Sequence, residues 1–366
     1  MSNISFRMAT IDDADGIPSQ TPQSEPSVMS PHYTAGLMHR IPKVEIHVHL
    51  EGATDAETVW VMAQRNGVAL PASSLKNWKD HYRFRDFEHF IEIYGIATSV
   101  MRKPEDWSFL VERFLYGQAR QNIVYTEAFL SASYQVNNLP EDEWIDAIAE
   151  GAAIGERQHG VKVRFIPDIS RHLPDTQEDV LQFATEAGKR EYFIGLGLGG
   201  IEAGFPADLF VETFREAKRR GLRIVAHAGE TTGAQTIRDA VHKLGAERIG
   251  HGIRCLENAS LLDELRVLQV PMEVCPTSNY GLGVVATGKP HPLRQMVDAG
   301  LLCTVNSDDP PMFGTTLSDE YSLLAHQGFT LQQLQQLNLN AVEACFLPDE
   351  QKVALRSRIE PAQSDK

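Results

Sequence analysis

Apolar positions along the chain fall into two patterns. Short runs rich in Val, Ile, Leu and Phe occupy residues 44–49, 123–130, 161–168, 192–198, 223–227, 248–251, 270–275 and 302–306. They are close to continuous, as strands covered on both faces require. Each is followed by a segment long enough for a helix. Helical periodicity is clearest over 55–64, 87–99, 106–121, 141–158, 208–219, 236–243 and 292–299. Gly221 after Arg219-Arg220 and Gly300 after Ala299 read as helix stops. Arg164 and Arg248 interrupt two of the strand runs.

Strands alternating with helices predict an α/β fold with a parallel sheet. Eight such units predict a (β/α)8 TIM barrel rather than an open sheet. Residues 52–121, between the first two strands, have room for several extra helices, expected as a lid over the barrel mouth. Residues 1–38 are rich in Ser, Pro, Thr and Met with little periodicity and are expected to be a flexible tail. Residues 39–360 then form a single barrel domain.

Composition narrows the function classes. The 366 residues are 42% hydrophobic, enough for a large core. A formal net charge of -15 argues against nucleic acid and anionic membranes as partners. Asp12, Asp13 and Asp15 stand where a signal segment would need basic and apolar residues, and no run is long enough to span a bilayer, so the expected location is cytoplasmic. Cys255, Cys275, Cys303 and Cys345 lie in apolar segments without a CxxC pair and read as buried free thiols. Oligomeric state stays open.

The chemistry gathers at strand ends, where a barrel of this kind keeps its active site. His47 and His49 end the first run, and alternation places them on one face. His227 ends the fifth run, His251 the sixth, and Asp308-Asp309 follow the eighth. Three neutral imidazoles and a hard carboxylate, from His47, His49, His227 and Asp308, suit one Zn2+ per chain with a position open for water. Such an ion brings the pKa of water from about 15.7 to about 7. Glu230, just past His227, is a candidate proton carrier, and His251 can hold the water or take its proton. Asp309 is placed to accept a hydrogen bond from substrate. The other histidines, His32, His39, His81, His89, His159, His172, His242, His291 and His326, read as ordinary hydrogen-bonded side chains. Gly195–Gly200 lacks dinucleotide-motif spacing and reads as a strand end that lets backbone approach a ligand. No GxSxG surrounds Ser278, which argues against a serine hydrolase.

These residues resemble the adenosine deaminase family of the metal-dependent amidohydrolase superfamily. The matching pieces are Pro42-Lys43-Val44-Glu45-Ile46-His47-Val48-His49-Leu50-Glu51-Gly52, His227-Ala228-Gly229-Glu230, Gly250-His251-Gly252, Cys275-Pro276-Thr277-Ser278-Asn279 and Ser307-Asp308-Asp309-Pro310. They run in family order from about residue 40 to about residue 350. The other zinc deaminase signature, HxE…PCxxC, does not occur. The resemblance implies that His47, His49, His227 and Asp308 hold zinc and that Glu230 protonates the purine ring nitrogen beside the amino-bearing carbon. It further implies that His251 orients and helps deprotonate the water, that Asp309 meets the five-membered ring, and that the Gly200 amide meets the other nitrogen of the six-membered ring.

The implied activity is hydrolytic deamination of a purine nucleoside, adenosine or deoxyadenosine. Two departures bear on the substrate. Family adenosine deaminases usually carry Asp where this chain has Glu51, and that residue meets the ribose 5′-hydroxyl. They also usually carry Asp where this chain has Ile201. Glu51 and its companions look similar to bacterial members, some of which deaminate aminodeoxyfutalosine, so that compound and adenine stand as alternative substrates. A two-metal amidohydrolase would need a lysine at a strand end, and Lys162 begins its strand instead.

Overall fold

The structure, a computed structural model, describes residues 30–360. Eight strands form one parallel sheet in sequence order: β1 Lys43–His49, β2 Ile123–Leu130, β3 Lys162–Ser170, β4 Gly195–Gly199, β5 Arg223–Ala228, β6 Arg248–His251, β7 Met272–Val274 and β8 Cys303–Val305. Nearly every strand residue is buried, because side chains on one face fill the barrel and those on the other meet helices. Val44 and Ile46, for example, pack with Ala341 and Val342 on the outside.

The sheet closes where its last turn meets its first strand. The Ile46 amide donates to Asn306 Oδ1 (3.0 Å) and the His49 amide to the Asp308 carbonyl (2.9 Å). Val48 and Asp308 form an isolated parallel bridge at that seam. The expected (β/α)8 TIM barrel is the observed architecture.

Sixteen helices surround the sheet among the described residues. Between β1 and β2 lie α2 (Ala56–Asn66), α3 (Leu75–His81), α4 (Phe87–Ser99) and α5 (Pro104–Arg120), preceded by α1 (Pro31–Arg40) before β1. Then follow α6 (Glu141–His159), α7 (Gln177–Ala187), α8 (Val211–Arg219), α9 (Gln235–Asp239), α10 (Ala259–Leu268), α11 (Pro276–Gly281) and α12 (Leu293–Asp298). The last four are α13 (Pro310–Phe313), α14 (Leu317–His326), α15 (Leu331–Ala344) and α16 (Asp349–Ile359). Among the described residues no helix is long and apolar enough to cross a membrane.

The sequence reading differs from the structure in places. Residues 31–38, expected as tail, belong to α1, while residues 1–29 lie outside the described residues. Ser30 caps α1 by accepting from the Tyr33 amide (3.3 Å), Pro31 occupies the first turn, and only Thr34 and Met38 are buried, so the apolar stripe is thin. The buried Lys43 ammonium ends the helix by donating to the carbonyls of Met38, His39 and Ile41 (3.0, 3.4 and 3.1 Å). The helix expected over 236–243 divides into α9 and a π-helical turn at Ala240–Leu244. The fourth strand starts at Gly195 rather than 192, since Phe193 makes only an isolated bridge to Phe165.

Candidate metal centre and active site

His47 and His49 point from the end of β1 into the barrel mouth, with ring centroids 5.6 Å apart. His227 on β5 and Asp308 just past β8 meet them there, and one donor atom from each of the four lies within 4.8 Å of the others. His49 Nε2 is 3.2 Å from His227 Nε2. Asp308 Oδ1 is 3.4 Å from both His47 Nε2 and His49 Nε2. A tetrahedral ion with bonds of 2.0–2.1 Å separates its ligand atoms by about 3.3 Å, so the spacing fits zinc.

Tautomers support the same conclusion. His227 Nδ1 donates to the Leu198 carbonyl (3.0 Å), which leaves its Nε2 with a bare lone pair. His47 Nδ1 donates to Glu273 Oε2 (2.7 Å), and its Nε2, fully buried, has no hydrogen-bond partner. Burial and the neighbouring imidazoles hold His227 well below the usual histidine range. Three imidazole nitrogens and a carboxylate oxygen therefore converge on one point, an arrangement that a bound cation would satisfy. The carboxylate–histidine pairing at His47 is the outer support that orients a metal ligand. Glu273 is itself ion-paired to Arg248 Nε (2.5 Å), and Arg248 reaches on to Glu127. Cys275 also lies close to His47, His251 and Asp308, and burial raises its thiol well above the usual range.

Backbone strain marks the site. Asp308 (φ 64°) and His251 (φ 61°) both adopt the left-handed conformation that L-residues with a Cβ disfavour. Asp309 packs over Gly52 so closely that a Cβ there would sit 1.6 Å from its Oδ1. Gly200 has φ 81°, and a Cβ would meet His172 Nδ1 at 2.8 Å.

A pocket enclosing about 520 Å³ opens above this cluster. Its polar floor includes His49, His227, Glu230, His251, Asp308, Asp309 and Gly200, while Phe87, Phe90, Ile91 and Tyr94 of α4 form an apolar wall. Burial, then the Asp308 and Glu202 charges, pushes the Glu230 carboxyl well above the usual range, which favours its protonated form. Burial lowers His251 to about 4. Its Nε2 lies 3.6 Å from Glu230 Oε1 and 3.9 Å from Asp308 Oδ2. In the Asp308–Asp309 pair, Asp308 is held well below the carboxylate range by its histidines despite burial. Asp309 is pushed well above the range by burial and by Asp308.

Of the sequence-derived residues, His47, His49, His227, Asp308, Glu230, His251, Asp309 and Gly200 come together. Glu51 does not join the pocket wall. It is fully buried, its Oε1 accepting from the Ser131 amide (2.9 Å) and its Oε2 from the Tyr94 hydroxyl (3.3 Å). Its carboxyl is raised to about 8 by burial, helped by Asp168. Asp168, which the sequence reading passed over, lines the pocket at the end of β3, buried and with no partner for its Oδ1.

Glu202 was also missed. Its Oε1 accepts from the Gly229 amide (2.8 Å), and its Oε2 accepts from the amides of Glu230, Thr231 and Thr232 (3.2, 2.7 and 3.0 Å). Four consecutive N–H groups of the loop carrying Glu230 thus converge on one buried carboxylate. Burial alone would raise Glu202, but the Thr232 and Thr231 amides and Arg171 reverse the shift and keep it ionised. The sequence signal was a carboxylate two residues past the glycine-rich strand end, which is weak by itself.

Comparison with known proteins agrees with the geometry. A family model described as adenosine deaminase matches residues 42–362. The aminodeoxyfutalosine deaminase of Streptomyces avermitilis is 36% identical over 324 residues, covering 87% of this chain and 90% of that one. The crystal structure of adenine deaminase from Arthrobacter aurescens superposes with a TM-score of 0.83 at 30% identity, over 87% of this chain and 98% of that chain. An amidohydrolase structure from Burkholderia ambifaria with bound Zn has a TM-score of 0.81 at 27% identity, over 92% of this chain and 93% of that chain.

Proposed function

The chain belongs to the adenosine deaminase family of the amidohydrolase superfamily, and from that premise we propose that it is a one-zinc hydrolase that deaminates free adenine in preference to adenosine. Deamination of a 6-aminopurine is what its relatives share. The choice among purines rests on Glu51. The family's sugar contact is expected at that position, yet here the carboxyl is turned into the wall and occupied by Ser131 and Tyr94. A ribose 5′-hydroxyl therefore lacks its usual partner. The aminodeoxyfutalosine deaminase relative favours a second reading, in which the apolar wall of α4 covers a large 5′-substituent.

His47, His49, His227 and Asp308 would hold the zinc, which supplies Lewis acidity and a water activated at neutral pH. The chain's own groups do the rest. Glu230 enters protonated and gives its proton to the ring nitrogen beside the amino-bearing carbon, making that carbon electrophilic. The water oxygen adds there and the carbon becomes tetrahedral. Glu230 then takes the proton released by the water and hands it to the amine. The C–N bond breaks, ammonia leaves, and the remaining O–H proton of the tetrahedral centre passes back to Glu230, so that amine and water become carbonyl and ammonia and Glu230 ends protonated as it began. Asp309, kept protonated by Asp308, can donate to the five-membered ring. The Gly200 amide, free to approach because no Cβ intervenes, donates to the remaining six-ring nitrogen. These contacts fit the addition state better than the flat purine. Helix α4, in this reading, is the cover that excludes bulk water.

Ammonia release decides the matter. Zinc-loaded protein, with metal counted per chain, is assayed on adenine, adenosine, deoxyadenosine and aminodeoxyfutalosine. The expected result is one zinc and highest kcat/KM on adenine. Preference for adenosine would defeat the substrate assignment, preference for aminodeoxyfutalosine would transfer it to the second reading, and no turnover of any would defeat the deaminase reading.

A further inference from the structure

A buried hydrogen-bond chain runs from a backbone amide to the catalytic histidine. The Leu293 amide donates to His291 Nδ1 (3.0 Å). A backbone N–H cannot act as an acceptor, so His291 Nδ1 carries no proton and the single proton of its neutral ring is on Nε2. That nitrogen lies 3.1 Å from Asn279 Oδ1 and donates to it. The Asn279 amide nitrogen is then turned toward His251 Nδ1, 3.2 Å away, and donates to it. His251 Nδ1 is thereby an acceptor, and the proton of the neutral ring sits on Nε2, which faces Glu230 and Asp308. All three side chains are 1% exposed or less. Because water does not reach them, each link has one direction, set at the Leu293 end.

We propose that Asn279 and His291 are positioning residues that fix His251 in the Nε2–H tautomer, so that His251 serves as a hydrogen-bond donor to the oxygen adding to the purine and not as the base that removes its proton. This rests on the deaminase reading of the site. A neutral ring with its Nε2 already protonated has no lone pair to offer there. Protonating Nδ1 instead would set two donors face to face across 3.2 Å at the Asn279 amide. The proton lost by the water therefore travels on Glu230. His251 stabilises the oxygen as negative charge gathers on it, the arrangement of an oxyanion donor.

The test reads the tautomer directly. Zinc-loaded enzyme labelled with 15N-histidine is examined by NMR, where protonated and unprotonated ring nitrogens separate widely, and the His251 signals are assigned by their loss in His251→Gln. The proposal expects an unprotonated Nδ1 and a protonated Nε2 in the wild type; the opposite pattern overturns it whether or not Asn279→Asp and His291→Gln fold. Asn279→Asp reverses the middle link, since a carboxylate accepts from both rings. It should move the His251 proton to Nδ1 and lower kcat on the best substrate by about 100-fold with KM changed by less than about threefold. His291→Gln keeps a donor aimed at Asn279 Oδ1 and should hold the tautomer and most of kcat. Wild-type kcat in Asn279→Asp with the proton relocated would overturn the donor role. A wild type inactive on every purine would defeat the deaminase reading, while the spectrum would still report the tautomer.

Discussion

Replacing Glu202 by Gln removes one charge and changes little volume. In the best orientation the amide oxygen keeps the Oε2 position, with the Glu230, Thr231 and Thr232 amides still donating to it. The amide nitrogen then takes the Oε1 position and faces the Gly229 amide at 2.8 Å, donor against donor, which leaves that amide its second acceptor, Thr236 Oγ1 at 3.0 Å. Hydrogen bonds to a charged acceptor contribute about 1.5–3 kcal/mol each against about 1 kcal/mol for a neutral one. Losing one and weakening three costs about 3 kcal/mol even at the low end of these ranges, a large share of the roughly 5–15 kcal/mol typical of a domain. Denaturant unfolding at neutral pH measures it. The loop also carries Glu230, and a displacement of about 1 Å at a catalytic group is worth about 100-fold in rate, so kcat should fall by about 10–100-fold while zinc remains bound. The sign of the pH dependence follows from Glu202. Its carboxyl is depressed in the folded state, so its contribution is present above the ordinary carboxylate range and is lost as pH falls through the folded value. The gap between variant and wild type should therefore narrow in acid. A stability change below about 1 kcal/mol together with kcat within about threefold of wild type would refute the reasoning.

Glu273→Gln replaces the carboxylate that accepts from His47 Nδ1 and pairs with Arg248. Zinc affinity should drop by about 10–100-fold in competition with a chelator, and an unchanged affinity would remove Glu273 from the support of the site. Glu230 is raised by burial, and as the proposed proton donor it would act in its protonated form. The kcat/KM profile should therefore be level near neutrality and fall as pH rises through its elevated value; a rate that climbs with alkalinity would contradict its role as proton donor.

The barrel was legible because its strands are short, nearly continuous apolar runs, a pattern that few other arrangements produce. The metal donors were legible because each closes such a run. What escaped notice depends on pairing across strands. Arg248 and Glu273 look like interruptions in apolar segments when read singly, and only the β6–β7 neighbourhood makes them partners. His291 was indistinguishable from a surface histidine, since its meaning lies in Asn279 and Leu293 folding around it. Glu51 shows the converse. Its place in the first motif pointed to substrate, but the extra methylene lets the carboxyl reach the Ser131 amide instead. Helix α1 was missed because its buried stripe is two residues wide.

Asp308 bridges to Val48 where the sheet closes, and it is also one of the four side chains placed to hold a metal. Completing the ring and completing the coordination sphere are thus one event. A chain lacking its eighth strand has three imidazoles and no fourth partner, so metal occupancy reports whether the circuit from first strand to last has been joined. Zinc retention in a preparation would then signal that the ring has closed as far as Asp308, while the helices that follow it lie outside that check.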